Sequence, residues 1–342
     1  MMFENSEKTK VENLGKSKLI NHILNSGENF NKTFIVPPGD DATVIKFKEK
    51  NHLVFSSNIM VENVNFDLVY TPLKHLGYKS ITTSISNIYA INATPKYVLI
   101  NIAFSNKYTL EALEEIYSGI YLACNKYNIL LAGGDTNTAV KGLTISVTTI
   151  GEVEPDKYIL RSTCKNGDLL CVSGDLGGAY MGLHILEREK RIFLENPDFK
   201  PDIETYDYIV TRQLKPEARR DIVDFFLEKS ILPTSMTDLS NGLADGLYKI
   251  AKKSNIGFDI YEEKLPIDGQ TLQLASEMNL DATMCILNGG EDYELLFTIK
   301  QNDYEKIKNN IDISVIGHAT ENIEICNLIT SNGNISEIKI LN

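Results

Sequence analysis

The chain has 342 residues, 43% of them hydrophobic and 23% charged, which is typical of a soluble globular protein long enough for two ordinary domains. Its net charge of −12, without any block of lysine and arginine, argues against nucleic-acid binding. No apolar run approaches the ~20 residues of a membrane span, and the polar amino terminus lacks the apolar core of a signal peptide. The five scattered cysteines form no CxxC pair. They predict buried thiols in a reducing compartment, so we expect a cytoplasmic protein.

Strands and helices are mixed through the first 150 residues. Segments rich in β-branched residues predict strands over 42–48, 52–57, 97–104 and 143–149. Apolar spacing predicts helices over 74–91 and 109–126, and the run 129–132 is interpreted as a buried strand. The inward face predicted for the second helix consists of Leu110, Leu113, Ile116, Tyr117, Ile120 and Cys124.

The sequence pattern changes near Pro155, and a second set of elements follows. Strands are predicted over 168–173, 257–261, 293–299, 313–317 and 324–330. Helices are predicted over 179–190, 216–229, 244–254 and 269–278, with a polar loop over 191–206. We therefore expect an α/β (α+β) fold of two domains, residues 1–153 and 154–342.

Four turns combine small residues with carboxylates. They are Gly39–Asp41 (GDD), Gly133–Thr136 (GGDT), Asp238–Gly242 (DLSNG) and Asn288–Glu294 (NGGEDYE). Carboxylates beside a sharp turn can hold a hard cation or a cationic substrate. Each turn alone fits a loop cap, a helix N-cap or a solvated hairpin corner equally well. Their recurrence favours Mg²⁺ ions and phosphate.

A fifth turn, Gly174–Gly178 (GDLGG), lies between a predicted strand and a predicted helix. Backbone N–H groups at such a helix start bind phosphate well. The turn lacks the Gly-Lys-Ser/Thr ending of a Walker loop. It could equally serve only to let the strand and the helix pack closely.

In order and spacing, the four acidic turns resemble those of the thiamine-monophosphate kinases, a family of the AIR synthetase-like superfamily. The similarity runs from Gly39 to about Gly317, and its most specific string is Gly289–Phe297 (GGEDYELLF). The other matching strings are Val61–Glu62 with Phe66, Ala93–Pro95, Gly133–Thr136, Leu214–Pro216 and Leu265–Pro266.

This resemblance implies an AIR synthetase-like fold. An N-terminal α/β domain would pair its sheet with a second subunit in a homodimer, and a C-terminal α+β domain would follow. It also implies direct transfer of the ATP γ-phosphoryl group to thiamine monophosphate, giving thiamine diphosphate, with several Mg²⁺ ions and no covalent nucleophile. Positioning and charge neutralisation are sufficient for such a transfer. Nucleic acid and membranes are not among the expected partners.

The resemblance also assigns roles to residues of this chain. The implied metal ligands are Asp41, Ser56, Ser57, Asn58, Asn87, Asp135 and Asp238. The implied nucleotide contacts are Gly134, Asp135, Arg161, Ser240 and Asn241. Asn65 and Glu291 match substrate-side positions, and Glu291 would face the cationic thiamine.

The chain departs from the family pattern at several of these positions. Asn58, Asn87 and Asn241 stand where the family usually has acids, and Asn65 stands where it has histidine. An amide can coordinate a metal but brings no charge, so Mg²⁺ binding should weaken. A catalytically impaired member that binds nucleotide or thiamine phosphate is therefore the first alternative. A different ATP-dependent enzyme of the superfamily, such as an amidine-forming synthase, is the second, and the string containing Glu291 argues against it.

Overall fold

The structure is a computed structural model that describes residues 34–37, 40–47, 51–196, 198 and 203–339. Gly39, the first residue of the Gly39–Asp41 turn, lies outside the described residues, as does Lys48, the last residue of the strand predicted over 42–48. Within the described ranges, no helix is long and apolar enough to cross a membrane. Two sheets and the helices between and around them organise the chain.

The first sheet contains six strands in the order β1-β2-β3-β6-β4-β5. Their bounds are β1 Phe34–Val36, β2 Thr43–Lys46, β3 His52–Val61, β4 Thr94–Phe104, β5 Leu130–Thr138 and β6 Leu143–Val153. All neighbours are antiparallel except β4 and β5, which are parallel. Two helices, α1 (Leu73–Ala90) and α2 (Leu110–Tyr127), supply apolar residues to the core beside this sheet.

The second sheet contains seven strands in the order β13-β12-β9-β11-β7-β10-β8. Their bounds are β7 Leu169–Ser173, β8 Ser235–Asp238, β9 Gly257–Tyr261, β10 Leu295–Ile299, β11 Ile313–Thr320, β12 Cys326–Ile329 and β13 Ile335–Glu337. The helices of this half are α3 Gly178–Glu195, α4 Asp207–Leu214, α5 Arg220–Glu228, α6 Leu243–Ser254, α7 Gly269–Glu277, α8 Ala282–Asn288 and α9 Tyr304–Ile307.

Local sequence explains how α2 begins, ends and packs. The Thr109 hydroxyl accepts a hydrogen bond from the Ala112 N–H at the first turn, and Asn128 ends the helix in the left-handed conformation. The helix crosses α1 at a pair of glycines, because a Cβ on Gly119 would lie 1.9 Å from the Lys74 carbonyl oxygen. This close crossing fixes α1, which contacts β3, β4 and β6 of the first sheet and β8 of the second.

The predicted helices over 74–91 and 109–126 and the predicted strand over 257–261 are confirmed. Two statements about burial were wrong. Leu110, the first residue of α2, is 66% exposed, and Leu130 in the supposed buried run is 65% exposed. The strand is present, but β5 is the edge of the sheet, and in one chain nothing described covers it.

Several elements were missed or placed differently. Helix α3 continues to Glu195 into the predicted polar loop, and α4 and α8 were not predicted. The short buried strand β8 was also missed, because its four residues include only one large apolar side chain, Met236. Strand β8 is the element that brings the second sheet to α1.

Candidate active site

Two of the acidic turns are hydrogen-bonded to each other at the edge of the second sheet. The Glu291 N–H donates to the Ser240 carbonyl over 3.0 Å, and the Tyr293 N–H donates to the Leu239 carbonyl over 3.2 Å. The turn after β8 and the segment before β10 are therefore one unit. Asp238 does not cap the following helix, because the N-cap position of α6 is Gly242.

Asp41, at the start of β2, is paired with Arg161 from the segment after β6. The Arg161 Nε donates to Asp41 Oδ2 over 2.8 Å, and a second guanidinium nitrogen bonds Oδ1. Asp40 Oδ1 lies 3.5 Å from the same Nε. Thr237 on β8 donates its hydroxyl to Asp41 Oδ1 over 3.2 Å. The first sheet and β8 thus meet at a buried guanidinium with carboxylates around it.

Asp238, the last residue of β8, is 2% exposed, and its Oδ2 has no hydrogen-bond partner among the described residues. Burial, reinforced by the charge of Asp41, raises the pKa of Asp238 to about 6, although Lys249 and Arg161 oppose the shift. The Ser86 hydroxyl on α1 lies close enough to Asp238 to lower its pKa slightly, but neither Ser86 Oγ nor Asp238 Oδ2 makes a hydrogen bond of normal geometry in the described part of the chain. An unpartnered carboxylate oxygen beside a second carboxylate is an environment that a cation would stabilise.

The described residues fit one cation better than several. Mg²⁺ in phosphate-transferring sites is commonly held by one or two carboxylates plus substrate oxygens, which Asp41 and Asp238 could supply. However, no three His, Cys, Asp or Glu side chains of the described residues form a group that could hold a metal ion. The asparagines provide no further charge. Asn58 Oδ1 accepts from the Ile59 N–H, and the exposed Asn241 donates to Asp245.

Ser56 and Ser57 lie on opposite faces of β3. Ser56 is buried on the α1 side, and its register partner Thr149 bonds Ser84 of that helix. Ser57 is exposed on the other face, 3.1 Å from the Thr148 hydroxyl. Asn87 lies on α1, next to Ser86, and is half-buried. Of these three predicted ligands, Asn87 lies on α1, the helix that contacts β8, and Ser56 lies on the face of β3 that α1 covers.

Gly134 and Asp135 are separated from that region. They lie in β5, where Asp135 pairs in register with Asn101 of β4. Among the described residues, its side chain accepts only the N–H of its neighbour Thr136. Strands β6 and β4 lie between β3 and β5, which corresponds to about 14 Å at normal strand spacing. Asp135 is exposed and lines a small groove with Asn101, Asn137 and Ser146. One chain does not bring it to Asp41 and Asp238.

Glu291 is partly accessible to solvent, as a carboxylate that binds substrate must be. Its side chain is 26% exposed and pairs with Lys79 of α1 at 2.9 Å. Its backbone has φ of +67°, a left-handed conformation that is uncommon for glutamate. Asn65, the other predicted substrate residue, uses its side-chain oxygen to accept the Val61 N–H and so closes the loop after β3.

The neighbouring acids of the same run are structural. Asp292 accepts the N–H groups of Gly177 at 2.7 Å and Ala179 at 3.1 Å, which occupies the start of α3. Glu294 accepts from Ser173, Arg212 and Arg219. The expectation that the Gly174–Gly178 turn offers its N–H groups to phosphate is therefore wrong, because a carboxylate of the chain takes that position.

Residues that complete these clusters carried no recognisable signal in the sequence. Lys79, Gln213, Arg212 and Arg219 come from helices α1 and α4 and from the segment before α5, far along the chain from the acids they pair with. The unusual feature of Lys79 is that it is a charged residue buried in α1, and the sequence does not show that burial.

Known proteins resemble the chain over most of its length. Residues 39–153 match the family model of the AIR synthase related protein, N-terminal domain. The chain is 32% identical to the thiamine-monophosphate kinase of Bacillus subtilis, over 83% of this chain and 85% of the relative. It is 31% identical to that of Buchnera aphidicola from Schizaphis graminum, over 91% and 93%. The chain belongs to the thiamine-monophosphate kinase family.

A solved structure of the same kind, AaThiL complexed with AMPPCP and TMP, superposes with a TM-score of 0.82. It is 26% identical, and the match covers 98% of both chains. The fold is thus AIR synthase-like, as expected. By its family the chain is a phosphotransferase enzyme.

Proposed function

We propose that the protein transfers the γ-phosphoryl group of ATP directly to thiamine monophosphate, with Mg²⁺, to give thiamine diphosphate. The observation that carries the proposal is the buried cluster of Asp41, Arg161 and Asp238, where the two sheets meet. In this cluster Arg161 pairs with Asp41, while Asp238 Oδ2 has no hydrogen-bond partner among the described residues. Relatives named thiamine-monophosphate kinase, and a related structure with AMPPCP and TMP, support the choice of substrates.

In this proposal the residues of the site bind the metal ion, the nucleotide and the substrate. Asp41 and Asp238 would hold Mg²⁺, which neutralises charge on the phosphate oxygens when it is bound. Arg161 would donate to a phosphate oxygen once a cation replaces it at Asp41. Ser240 and Asn241, on the turn after β8, would contact the nucleotide. Glu291 would hold the cationic ring of thiamine monophosphate. No side chain acts as a covalent nucleophile.

A catalytically impaired relative that still binds nucleotide is the second candidate. It is favoured by the absence of a three-residue acidic group in the described part of the chain, together with the asparagines at 58, 87 and 241. Each lost carboxylate removes attraction for a divalent ion, and the loss is largest where other acids are few.

We also propose a homodimer, with the division between domains at residues 153 and 154. The face of the first sheet away from its helices exposes Ile59, Tyr97 and, at the edge strand, Leu130, which are 56%, 43% and 65% exposed. Exposed large apolar side chains on the open face of a sheet are typical of an interface. Asp135 would contact nucleotide only in a cleft shared by two copies.

A cytoplasmic location remains a prediction, with which the five free, buried cysteines are compatible.

The test is product formation from ATP and thiamine monophosphate at millimolar Mg²⁺, by the parent and by Asp238→Asn. We expect thiamine diphosphate and ADP in equal amounts from the parent and neither above background from the variant. Nucleotide binding without product by the parent would favour the impaired relative. Equal rates for the two proteins would show that Asp238 is not a metal ligand.

A further inference from the structure

Glu291 is anchored by two donors that come from different helices. Lys79 Nζ on α1 donates to Glu291 Oε2 over 2.9 Å and to the Gln213 carbonyl over 2.8 Å. The Gln213 side chain on α4 donates to the same Oε2 over 2.7 Å. The Lys79 side chain is only 3% exposed, so this ammonium group is dedicated to the two acceptors.

Both donors bind one oxygen of the carboxylate and leave the other unused. Glu291 Oε1 has no hydrogen-bond partner among the residues that the structure describes, and the side chain is 26% exposed. Asp292 and Glu294, by contrast, each use both oxygens within the chain. An acid that is held by one oxygen and open at the other is arranged to receive a ligand with positive charge or hydrogen-bond donors.

The backbone of Glu291 adds an independent observation. Its φ of +67° is strained for a residue with a side chain, and its N–H is fixed to the Ser240 carbonyl at 3.0 Å. Such strain costs about 1–3 kcal/mol and persists where surrounding contacts determine the conformation.

We propose that Lys79 and Gln213 are positioning residues, which hold one oxygen of Glu291 and direct its free oxygen at the cationic ring of thiamine monophosphate. The inference rests on the proposed function. Neither residue would touch the substrate. Because the Lys79 ammonium bonds Oε2, the site as a whole carries little net charge, and affinity would depend on the direction of Oε1 rather than on attraction from a distance.

A double-mutant cycle read out by calorimetry tests this proposal without requiring turnover. Thiamine monophosphate, and separately ATP with Mg²⁺, would be titrated into the parent, Lys79→Met, Glu291→Gln and the double variant. Lys74→Met is the matched control, because Lys74 is an exposed lysine of the same helix. Each single variant should raise the Kd for thiamine monophosphate about tenfold, the size expected for losing one charge-assisted hydrogen bond. The Kd for ATP and the control should not change.

The double variant decides between positioning and structural roles. If Lys79 acts through Glu291, removing it from the Glu291→Gln background should cost no further affinity. Additive losses, or equal losses for thiamine monophosphate and ATP, would overturn the inference while leaving the proposed function intact. A parent that binds ATP but no thiamine monophosphate would overturn both. If Lys79→Met does not fold, Gln213→Met in the same cycle takes its place.

Discussion

The turn with Asp292 and Glu294 and the turn with Asp238 are hydrogen-bonded to each other, yet their carboxylates are satisfied in different ways. Asp292 and Glu294 use all their oxygens on two backbone N–H groups, a serine and two arginines. Asp238 is just as buried but leaves Oδ2 without a partner in the described structure. Glu291 is intermediate, with one oxygen held. The number of unused oxygens separates acids that hold the fold from acids available to a ligand.

The largest effect is expected where the acids are completely paired. Arg212→Met should lower the free energy of unfolding by about 3–5 kcal/mol, because it leaves the buried Asp292 and Glu294 short of a counter-charge. Urea unfolding measures this. The control is Arg220→Met, whose exposed pair with Asp224 should contribute less than about 1 kcal/mol. Similar losses for both variants would mean that the Asp292 and Glu294 cluster does not hold the fold.

The open face of the first sheet differs from both turns, because it exposes large apolar side chains beside polar ones such as Ser57 and Asp135. Ile59→Glu should weaken self-association by about 2 kcal/mol or more, since it places a charge within the proposed interface. Sedimentation at micromolar concentration should show a dimer for the parent and a larger monomer fraction for the variant. Ile311→Glu is the control, because Ile311 is 96% exposed in the segment before β11. A monomeric parent would contradict the dimer.

Adding carboxylates near the cluster of Asp41, Arg161 and Asp238 should strengthen cation binding. Asn58, Asn87 and Asn241 changed together to Asp should lower the Mg²⁺ concentration for half-maximal nucleotide binding about tenfold, because each carboxylate attracts the ion more strongly than an amide. In chelator the same variant should melt at a lower temperature than the parent, because the acids then repel each other. If the Mg²⁺ dependence is unchanged, the asparagines are already competent ligands or lie away from the ion.

A smaller effect concerns pH. Burial raises the pKa of Asp292 to about 6, from an ordinary value near 3.8, against the opposing influence of Arg212 and the Gly177 and Ala179 N–H groups. Folding therefore favours the protonated acid, so this group's contribution to stability is greatest below about pH 4 and falls as the pH rises to about 6. Asp292→Asn should flatten the stability profile over that range. An unchanged slope would show that other groups produce it.

The fold was largely predictable because strands and helices repeat their apolar residues at fixed spacing. The strand over 257–261 and the helix over 109–126 followed from that spacing alone. Burial at sheet edges was not predictable, since whether Leu130 is covered depends on which strand lies beside it. Asp238 and Glu291 could be selected from their turns and from the resemblance to a family. The resemblance also selected Arg161. The partners Lys79 and Gln213 could not be selected, because they lie 212 and 78 positions from Glu291.

The most direct test of the account is calorimetric titration of ATP with Mg²⁺ into Asp238→Asn and Asp292→Asn, each with its melting temperature in chelator. We expect Asp238→Asn to lose Mg²⁺-dependent nucleotide binding without losing stability, because it removes a buried charge that has no partner. We expect Asp292→Asn to bind nucleotide like the parent. If Asp292→Asn instead lost binding while Asp238→Asn retained it, the assignment of the two acids to ligand and to fold would be contradicted.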